Sequence, residues 1–560
     1  MTPTFSIKIV GPAGTGVKSF GELLLKSLFA ENYQVFGYTE YPSLVRGGHN
    51  TYQITIRQDN LNLSSSSLDL LIPLTETALE TETNNLTKQS LVIGNENISS
   101  ENLKFKLIKP KLIAITSRLG NPLLLNTVYF GFLSYQFQIP QILAEKNLIE
   151  SLNHKAGNLQ ELNLRAFRLG FQLSQKFKLH FPLPKTNKNR HRLSLTGNEA
   201  VGLGAISAGL DLYSAYPMTP SSSLLHFLVK QQNNFPHQTY QSEDEISTIN
   251  VALGASFAGA LSMTGTSGGG FALMQESVSL AGMLELPLVI FLAMRPGPAT
   301  GMSTWTSQGD LLFAVNAGHG EFPKVVLAPG DGEEAFEMTR QAFALSQEYQ
   351  LPVIILSDKY LAESRFSFQA NTHYSPVKIS RTKVKKSSSL FYPRYQAVKG
   401  NSMPLTFPGQ AGGEYNANSS EHDVYGFAST SVSDRLLQTS RRLQKIALLK
   451  QKLPLPQLPS PKTDTALISW GSTKDIAAAI AAEIPEVTPL NFNYLWPLPQ
   501  KTGEFLQNFK KIIVLENNLT HQFARLLQGE GCRVDLYLGA DTGRPLNPLD
   551  YLTQIKKYVR

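Results

Sequence analysis

FSIKIVGPAGTGVKSFGELLLKSLFAENYQVFGY, residues 5–38, decides the first part of the fold. An apolar run, Phe5–Val10, ends at Gly11-Pro12-Ala13-Gly14-Thr15-Gly16. An amphipathic stretch from Val17 to Ala30 follows, and then a second apolar run, Gln34–Tyr38. Strand, glycine turn, helix and strand predict a βαβ unit with a right-handed crossover. The glycines would let a backbone approach an anion at the helix start; they serve a tight turn without a ligand equally well. Their spacing is neither the dinucleotide pattern G-x-G-x-x-G nor a Walker loop. Further strands are expected at Tyr52–Ile56, Asp69–Pro73 and Leu91–Ile93, and helices over Asn121–Phe137 and Asn158–Gln175. This first segment, 1–182, closes before a basic, proline-containing stretch that reads as a linker.

A second segment, 193–364, is rich in Gly and Ala and alternates strand and helix. Strands are predicted at Leu288–Met294, Val325–Ala328 and Val353–Ser357, and an Ala/Gly helix over Ser242–Leu261. Such alternation argues a parallel α/β sheet. Periodicity then fails, and 365–430 is expected to be a long linker. A basic helix over Ser431–Lys452 leads to a third α/β segment, 465–560, with strands at Ala466–Trp470, Ile512–Glu516 and Val534–Leu538.

The 560 residues are 42% hydrophobic and 17% charged, which fits several folded domains and excludes wholesale disorder. The single cysteine, Cys532, excludes a disulfide framework and any cysteine-rich zinc or iron–sulfur site made by this chain alone. The apolar run Leu286–Met294 is far short of the roughly 20 residues of a membrane helix. With no basic-then-apolar signal pattern at residue 1, a cytoplasmic protein without a membrane partner is expected. The net charge of +8 is concentrated in two runs, Arg365–Lys399 and Lys176–Arg192. Neither carries a nucleic-acid-binding motif. They read as solvated linkers, or as complements to an acidic partner such as a small electron carrier.

Four stretches of the second segment carry candidate chemistry. In Tyr216-Pro217-Met218-Thr219-Pro220, Thr219 could cap a helix begun by Pro220, or the prolines could fix its hydroxyl against a substrate. In Ser242-Glu243-Asp244-Glu245, a capping box between Ser242 and Glu245 would leave Glu243 free for other work. Arg295 follows a predicted strand, where ligands bind in open α/β sheets, and suits a carboxylate. Thr304 lies nine residues further on. Gly330-Asp331-Gly332 resembles a thiamine-enzyme metal loop, but with no downstream Asn pair it reads as a helix cap, with Glu334 closing it.

Together these motifs resemble the 2-oxoacid:ferredoxin oxidoreductases. Tyr216-Pro-Met-Thr-Pro-Ser-Ser222, Gln241-Ser-Glu243, Thr264-Gly-Thr-Ser-Gly268 and Arg295-Pro-Gly-Pro-Ala-Thr-Gly-Met302 carry the likeness. Arg46-Gly47-Gly48 and Gly11–Gly16 match the family's γ domain in kind. Trp470-Gly471-Ser472-Thr473, Glu516-Asn517 and Glu421-His422-Asp423 match the end of its α subunit.

The resemblance implies an α/β multidomain chain: a γ-type domain, a thiamine-diphosphate pyrimidine-binding domain and a transketolase C-terminal-like domain. It implies Glu243 as the glutamate at the cofactor's N1′, with Tyr216, Pro217, Thr219 and Ser267 also at the cofactor. Arg295, Thr219 and Thr304 would bind substrate. The implied reaction is oxidative decarboxylation of a 2-oxoacid, pyruvate or 2-oxoglutarate, to acyl-CoA with reduction of ferredoxin. Implied partners are coenzyme A and a separate β subunit carrying Mg²⁺ and a [4Fe–4S] cluster, in an (αβ)2 assembly. The alternative is a non-catalytic nucleotide-binding or assembly module of the same fold.

Overall fold

The computed structural model describes residues 3–42, 48–99, 104–152, 157–186, 192–369, 390–398, 401–460 and 462–560. Arg46 and Gly47, and most of the basic run after residue 369, lie outside the described residues. The chain forms two compact units: residues 1–195 with 364–370, and residues 196–363 with 371–560.

The first unit is built on an eight-stranded sheet. Its order is Lys106–Ile108, Leu86–Ile93, Leu68–Pro73, Thr4–Pro12, His49–Arg57, Gln34–Glu40, Arg365–Gln369 and Arg192–Thr196. The helix Val17–Ala30 forms where the amphipathic stretch predicts it. The two strands it joins are not neighbours, however. His49–Arg57 lies between them, antiparallel to both, with Ile54 opposite Ile7 and Tyr38 opposite Gln53. Strands consecutive in sequence commonly lie side by side, and here the third strand neighbours the second. The glycine turn is exposed, and Asn126 Nδ2 donates to the carbonyl of Thr15 at 2.6 Å.

The stretch expected to lack periodicity opens as a strand. Arg365–Gln369 pairs with Gln34–Glu40, Ser367 donates to the carbonyl of Val35 at 2.7 Å, and Phe366 packs on Phe36. Five residues that alternate apolar and polar suffice for an edge of a sheet already formed.

In the second unit a seven-stranded sheet runs Tyr494–Trp496, Val325–Leu327, Pro352–Asp358, Leu288–Met294, Ser262–Thr266, Leu212–Ala215 and Gln238–Gln241. All are parallel except Tyr494–Trp496. A second, four-stranded parallel sheet runs Val487–Phe492, Thr465–Trp470, Lys511–Glu516 and Leu536–Gly539. One apolar core spans both sheets, from Ile290 and Leu292 to Trp470 and Phe523. The edge strand Tyr494–Trp496 comes from the C-terminal segment and closes the larger sheet, so the two layers are interlocked.

The helix Val432–Lys452 is fastened to the larger sheet by buried charge. Glu285 accepts from Arg441 and, at 2.5 Å, from Lys445, and all three side chains are buried. Glu421 is gripped by Arg442 at 2.7 Å and by Arg435 at 2.6 Å. Asp331 caps the helix Gly332–Tyr349, and its other oxygen takes Lys474 at 2.5 Å, which agrees with a structural role for the Gly-Asp-Gly loop. No helix among the described residues is long and apolar enough to cross a membrane.

Candidate active site

The parallel strands of the larger sheet bring their carboxyl ends to one edge, where ligands bind in this architecture. Thr219 follows Leu212–Ala215, Glu245 follows Gln238–Gln241, Ser267 follows Ser262–Thr266, and Arg295 follows Leu288–Met294. Strand register aligns these exits: Ala215 lies opposite both Gln241 and Gly265, and Thr266 opposite Leu292.

Arg295 Nη1 donates to the carbonyl oxygen of Thr219 at 2.7 Å, tying the Tyr216–Pro220 loop to the central strand. Arg295 Nε is buried with no partner among the described residues. Burial lowers the Arg295 guanidinium from its ordinary value, while the Asp310 carboxylate opposes that. Asp310 is pushed up to about 6 by burial, against the pull of Arg295. It faces the start of the Gly268–Leu273 helix: a Cβ on Gly268 would lie 2.6 Å from Asp310 Oδ2.

The helix that follows Gln241 starts later than its sequence suggests. Asp244 is its cap, accepting from Ser247 N at 2.7 Å, and Ser247 completes the box. Ser242 is occupied elsewhere: its hydroxyl meets Ser214 Oγ at 3.0 Å and its N–H donates to the Ala215 carbonyl. The expected box between Ser242 and Glu245 does not form, and Glu245 rather than Glu243 is the buried glutamate. Glu243 is exposed, so no dry crevice of this chain surrounds it. Glu245 is 5% exposed, and its Oε1 has no partner among the described residues. A Cβ on Gly270 would lie 2.7 Å from that oxygen, so glycine is required where the second helix passes the carboxyl. A signal for Glu245 was present in the sequence. It is in phase with the buried stripe Thr248, Ile249, Ala252, Leu253 and Ser256, and Glu243 is not.

The helix after Thr219 also differs from expectation: it spans Ser222–Gln231, with Ser221 flanking it, so Thr219 is not its cap. Ser221 N–H and hydroxyl are both spent on the Met218 carbonyl, which moves the helix start forward. Thr219 and Pro217 are half-buried, and Tyr216 is exposed at the rim. Ser267 and Thr304 are buried, and the hydroxyls of both have no partner among the described residues.

Behind Thr304 the loop is clamped by the C-terminal sheet, a contribution that sequence reasoning missed. Gln308 N–H donates to the Asn517 carbonyl at 2.8 Å, and Gln308 Oε1 accepts from Asn517 N–H at 2.8 Å. Gln308 Nε2 donates to the Trp470 carbonyl at 2.7 Å. Thr306 donates to Asp358, whose other oxygen accepts from Ser472. Gln522 holds the Gly309 carbonyl at 2.6 Å and the Leu312 N–H at 2.8 Å.

Buried polar atoms are normally paired. Glu245 Oε1, Ser267 Oγ, Arg295 Nε and Thr304 Oγ1 are four exceptions at one sheet edge. Such a set fits a polar ligand with both donors and acceptors, as thiamine diphosphate and a 2-oxoacid together provide. A carboxyl, two hydroxyls and a guanidinium can hold a proton, orient an anion and exclude water.

Comparison with known proteins gives consistent matches. A family model described as "Pyruvate flavodoxin/ferredoxin oxidoreductase, thiamine diP-bdg" matches residues 203–439. One described as "Pyruvate ferredoxin/flavodoxin oxidoreductase" matches residues 6–173. The α subunit of 2-oxoacid:ferredoxin oxidoreductase 2 from Aeropyrum pernix is 29% identical, over 99% of this chain and 97% of that one. The 2-oxoglutarate synthase subunit KorA of Methanothermobacter marburgensis is 31% identical, over 59% of this chain and 88% of that one. Among solved structures, the 2-oxoglutarate:ferredoxin oxidoreductase from Magnetococcus marinus, with 2-oxoglutarate, coenzyme A and succinyl-CoA bound, superposes with a TM-score of 0.91. It is 25% identical, and the match covers all of both chains.

Proposed function

We propose, for a chain that belongs to the 2-oxoacid:ferredoxin oxidoreductase α-subunit family, that it binds thiamine diphosphate and a 2-oxoacid at the edge defined by Thr219, Glu245, Ser267, Arg295 and Thr304. The reaction is oxidative decarboxylation. A 2-oxoacid carboxylate and the thiol of coenzyme A become a thioester, carbon dioxide and a proton, and two electrons pass to ferredoxin. Pyruvate and 2-oxoglutarate are the candidate substrates.

Thiamine diphosphate, when bound, supplies the electron sink that lets a 2-oxoacid lose carbon dioxide. Glu245 holds a proton at the pyrimidine nitrogen N1′, a task that needs a buried carboxyl without another partner. Arg295 grips the substrate carboxylate through the nitrogens left free by Thr219. Thr304 and Thr219 offer hydroxyls to the substrate oxygens, and Ser267 offers one to the cofactor beside Pro217 and Tyr216. Glu243 stands at the exposed approach.

A partner β subunit carries the Mg²⁺ and diphosphate part of the site and the [4Fe–4S] cluster. The single cysteine here and the engagement of Asp331 by Lys474 support that division. An (αβ)2 assembly in the cytoplasm, with 1–182 as the γ-type domain, 193–364 as the pyrimidine-binding domain and 465–560 as the C-terminal-like domain, completes the reading.

The observation that carries it is the buried Glu245 carboxyl, whose Oε1 has no partner among the described residues. The test is Glu245→Gln beside Glu243→Gln in the chain reconstituted with its β partner. Viologen reduction should fall roughly 10²- to 10⁴-fold in the first and stay near wild type in the second. Full turnover by Glu245→Gln would remove the assignment and favour a non-catalytic module.

A further inference from the structure

A cleft of about 620 Å³ is lined in part by the helix Leu311–Val315, which follows the Thr304–Asp310 loop in the chain. Leu312, Val315, Phe322, Ile446, Trp496 and Leu526 line it on one part and the exposed Arg525, with Asn316, on another. One buried charge lines it: Lys324, 7% exposed. The Lys324 ammonium donates to the Val315 carbonyl at 3.3 Å and lies 4.3 Å from the centroid of the Phe322 ring. Among the described residues it has no carboxylate partner. Among the described residues the other two buried lysines are paired, Lys359 with Glu363 and Lys445 with Glu285. Of the acids on the cleft, Glu530 is taken by Lys450 at 2.7 Å, and Glu321 is exposed to solvent.

A buried ammonium with one long hydrogen bond is costly. Burial pushes Lys324 down to about 8, which leaves it mostly charged at pH 7. An anion would complete the site, and the apolar part of the lining asks for a hydrocarbon.

We propose that this cleft binds a small organic carboxylate with an apolar body, its carboxylate on Lys324 and its hydrocarbon against Phe322, Trp496 and Leu526. Leu312 and Val315 belong to the helix that Asp310 precedes, so the cleft adjoins the end of the loop that carries Thr304. The inference does not depend on the reaction assigned above.

The test uses the full chain with hexanoate and its neutral isostere hexanamide. Thermal melting and tryptophan fluorescence, with Trp496→Phe to assign the signal, report binding. Hexanoate should raise the melting temperature saturably, and hexanamide should act roughly tenfold more weakly or less. Lys324→Met should melt higher than wild type without ligand and bind hexanoate about tenfold to a hundredfold more weakly, while Lys324→Arg keeps the response. Equal effects of hexanoate and hexanamide on wild type would overturn the proposal, as would an undiminished response of Lys324→Met. If Lys324→Met does not fold, the wild-type comparison of the two ligands decides.

Discussion

Arg295 holds the carbonyl oxygen of Thr219 at 2.7 Å with one nitrogen and keeps Nε buried and unspent. The same side chain therefore shapes the Tyr216–Pro220 loop and offers a donor to a ligand. Lysine cannot do both, because its single ammonium lacks the fork. Arg295→Lys should raise KM for the 2-oxoacid roughly 10- to 100-fold, through loss of charge-assisted bonding worth about 1.5–3 kcal/mol. Steady-state viologen reduction at varied substrate checks it; an unchanged KM would contradict the placement.

Asp310 faces Arg295 and is pushed up to about 6 by burial, from an ordinary 3.8. Above that pH its negative charge competes with the substrate carboxylate for Arg295. Affinity for the 2-oxoacid should accordingly rise as pH falls through about 6, and Asp310→Asn should flatten that step. The stability effect has a defined sign. A raised acid contributes stability that is fully present below its unfolded value and is lost as pH rises through about 6. Asp310→Asn should thus melt higher than wild type at neutral pH. A pH series of kcat/KM and of thermal melts tests both statements.

Glu285 is the one acid between Arg441 and Lys445. Burial alone would push its carboxyl up, but Lys445, Arg441 and the nearby Arg394 outweigh that and hold it well below the usual range. Removing one member of a buried charged cluster leaves its partners unpaired. Glu285→Gln should destabilise the chain by roughly 3–5 kcal/mol in urea unfolding. A loss under about 1 kcal/mol would mean that the cluster does not fasten the Val432–Lys452 helix.

The legible parts of the fold were those whose apolar pattern matches one period. Val17–Ala30 and Leu288–Met294 have the bounds that the sequence suggests, because one is a clean amphipathic stripe and the other a continuous apolar run. Ser262–Thr266 went unread as a strand: it is Ser-Met-Thr-Gly-Thr and is buried by its neighbours, not by its own apolarity. The insertion of His49–Arg57 between two strands of an expected βαβ pair was hidden because pairing order is a tertiary choice.

Arg295, Thr304 and Ser267 were singled out from position after a strand or from family likeness, and each has a buried polar atom without a partner among the described residues. The cap of the helix that follows Gln241 was misjudged. Three consecutive acids allowed two boxes, and Ser242 was already committed to Ser214. Gln308 could not have been found, since its role rests on partners about two hundred residues away along the chain.

The strand Tyr494–Trp496 has a consequence for how this chain can be divided. It leaves the four-stranded sheet and finishes the edge of the larger one, antiparallel to Val325–Leu327. A boundary drawn in the proline-rich stretch before residue 465 looks natural in the sequence. Cut there, the upstream fragment would lose both the clamp on the loop behind Thr304 and the seam that seals its last strand, exposing a raw edge. The C-terminal part is in this sense a closing piece of the larger sheet, and the two layers are a single structural unit.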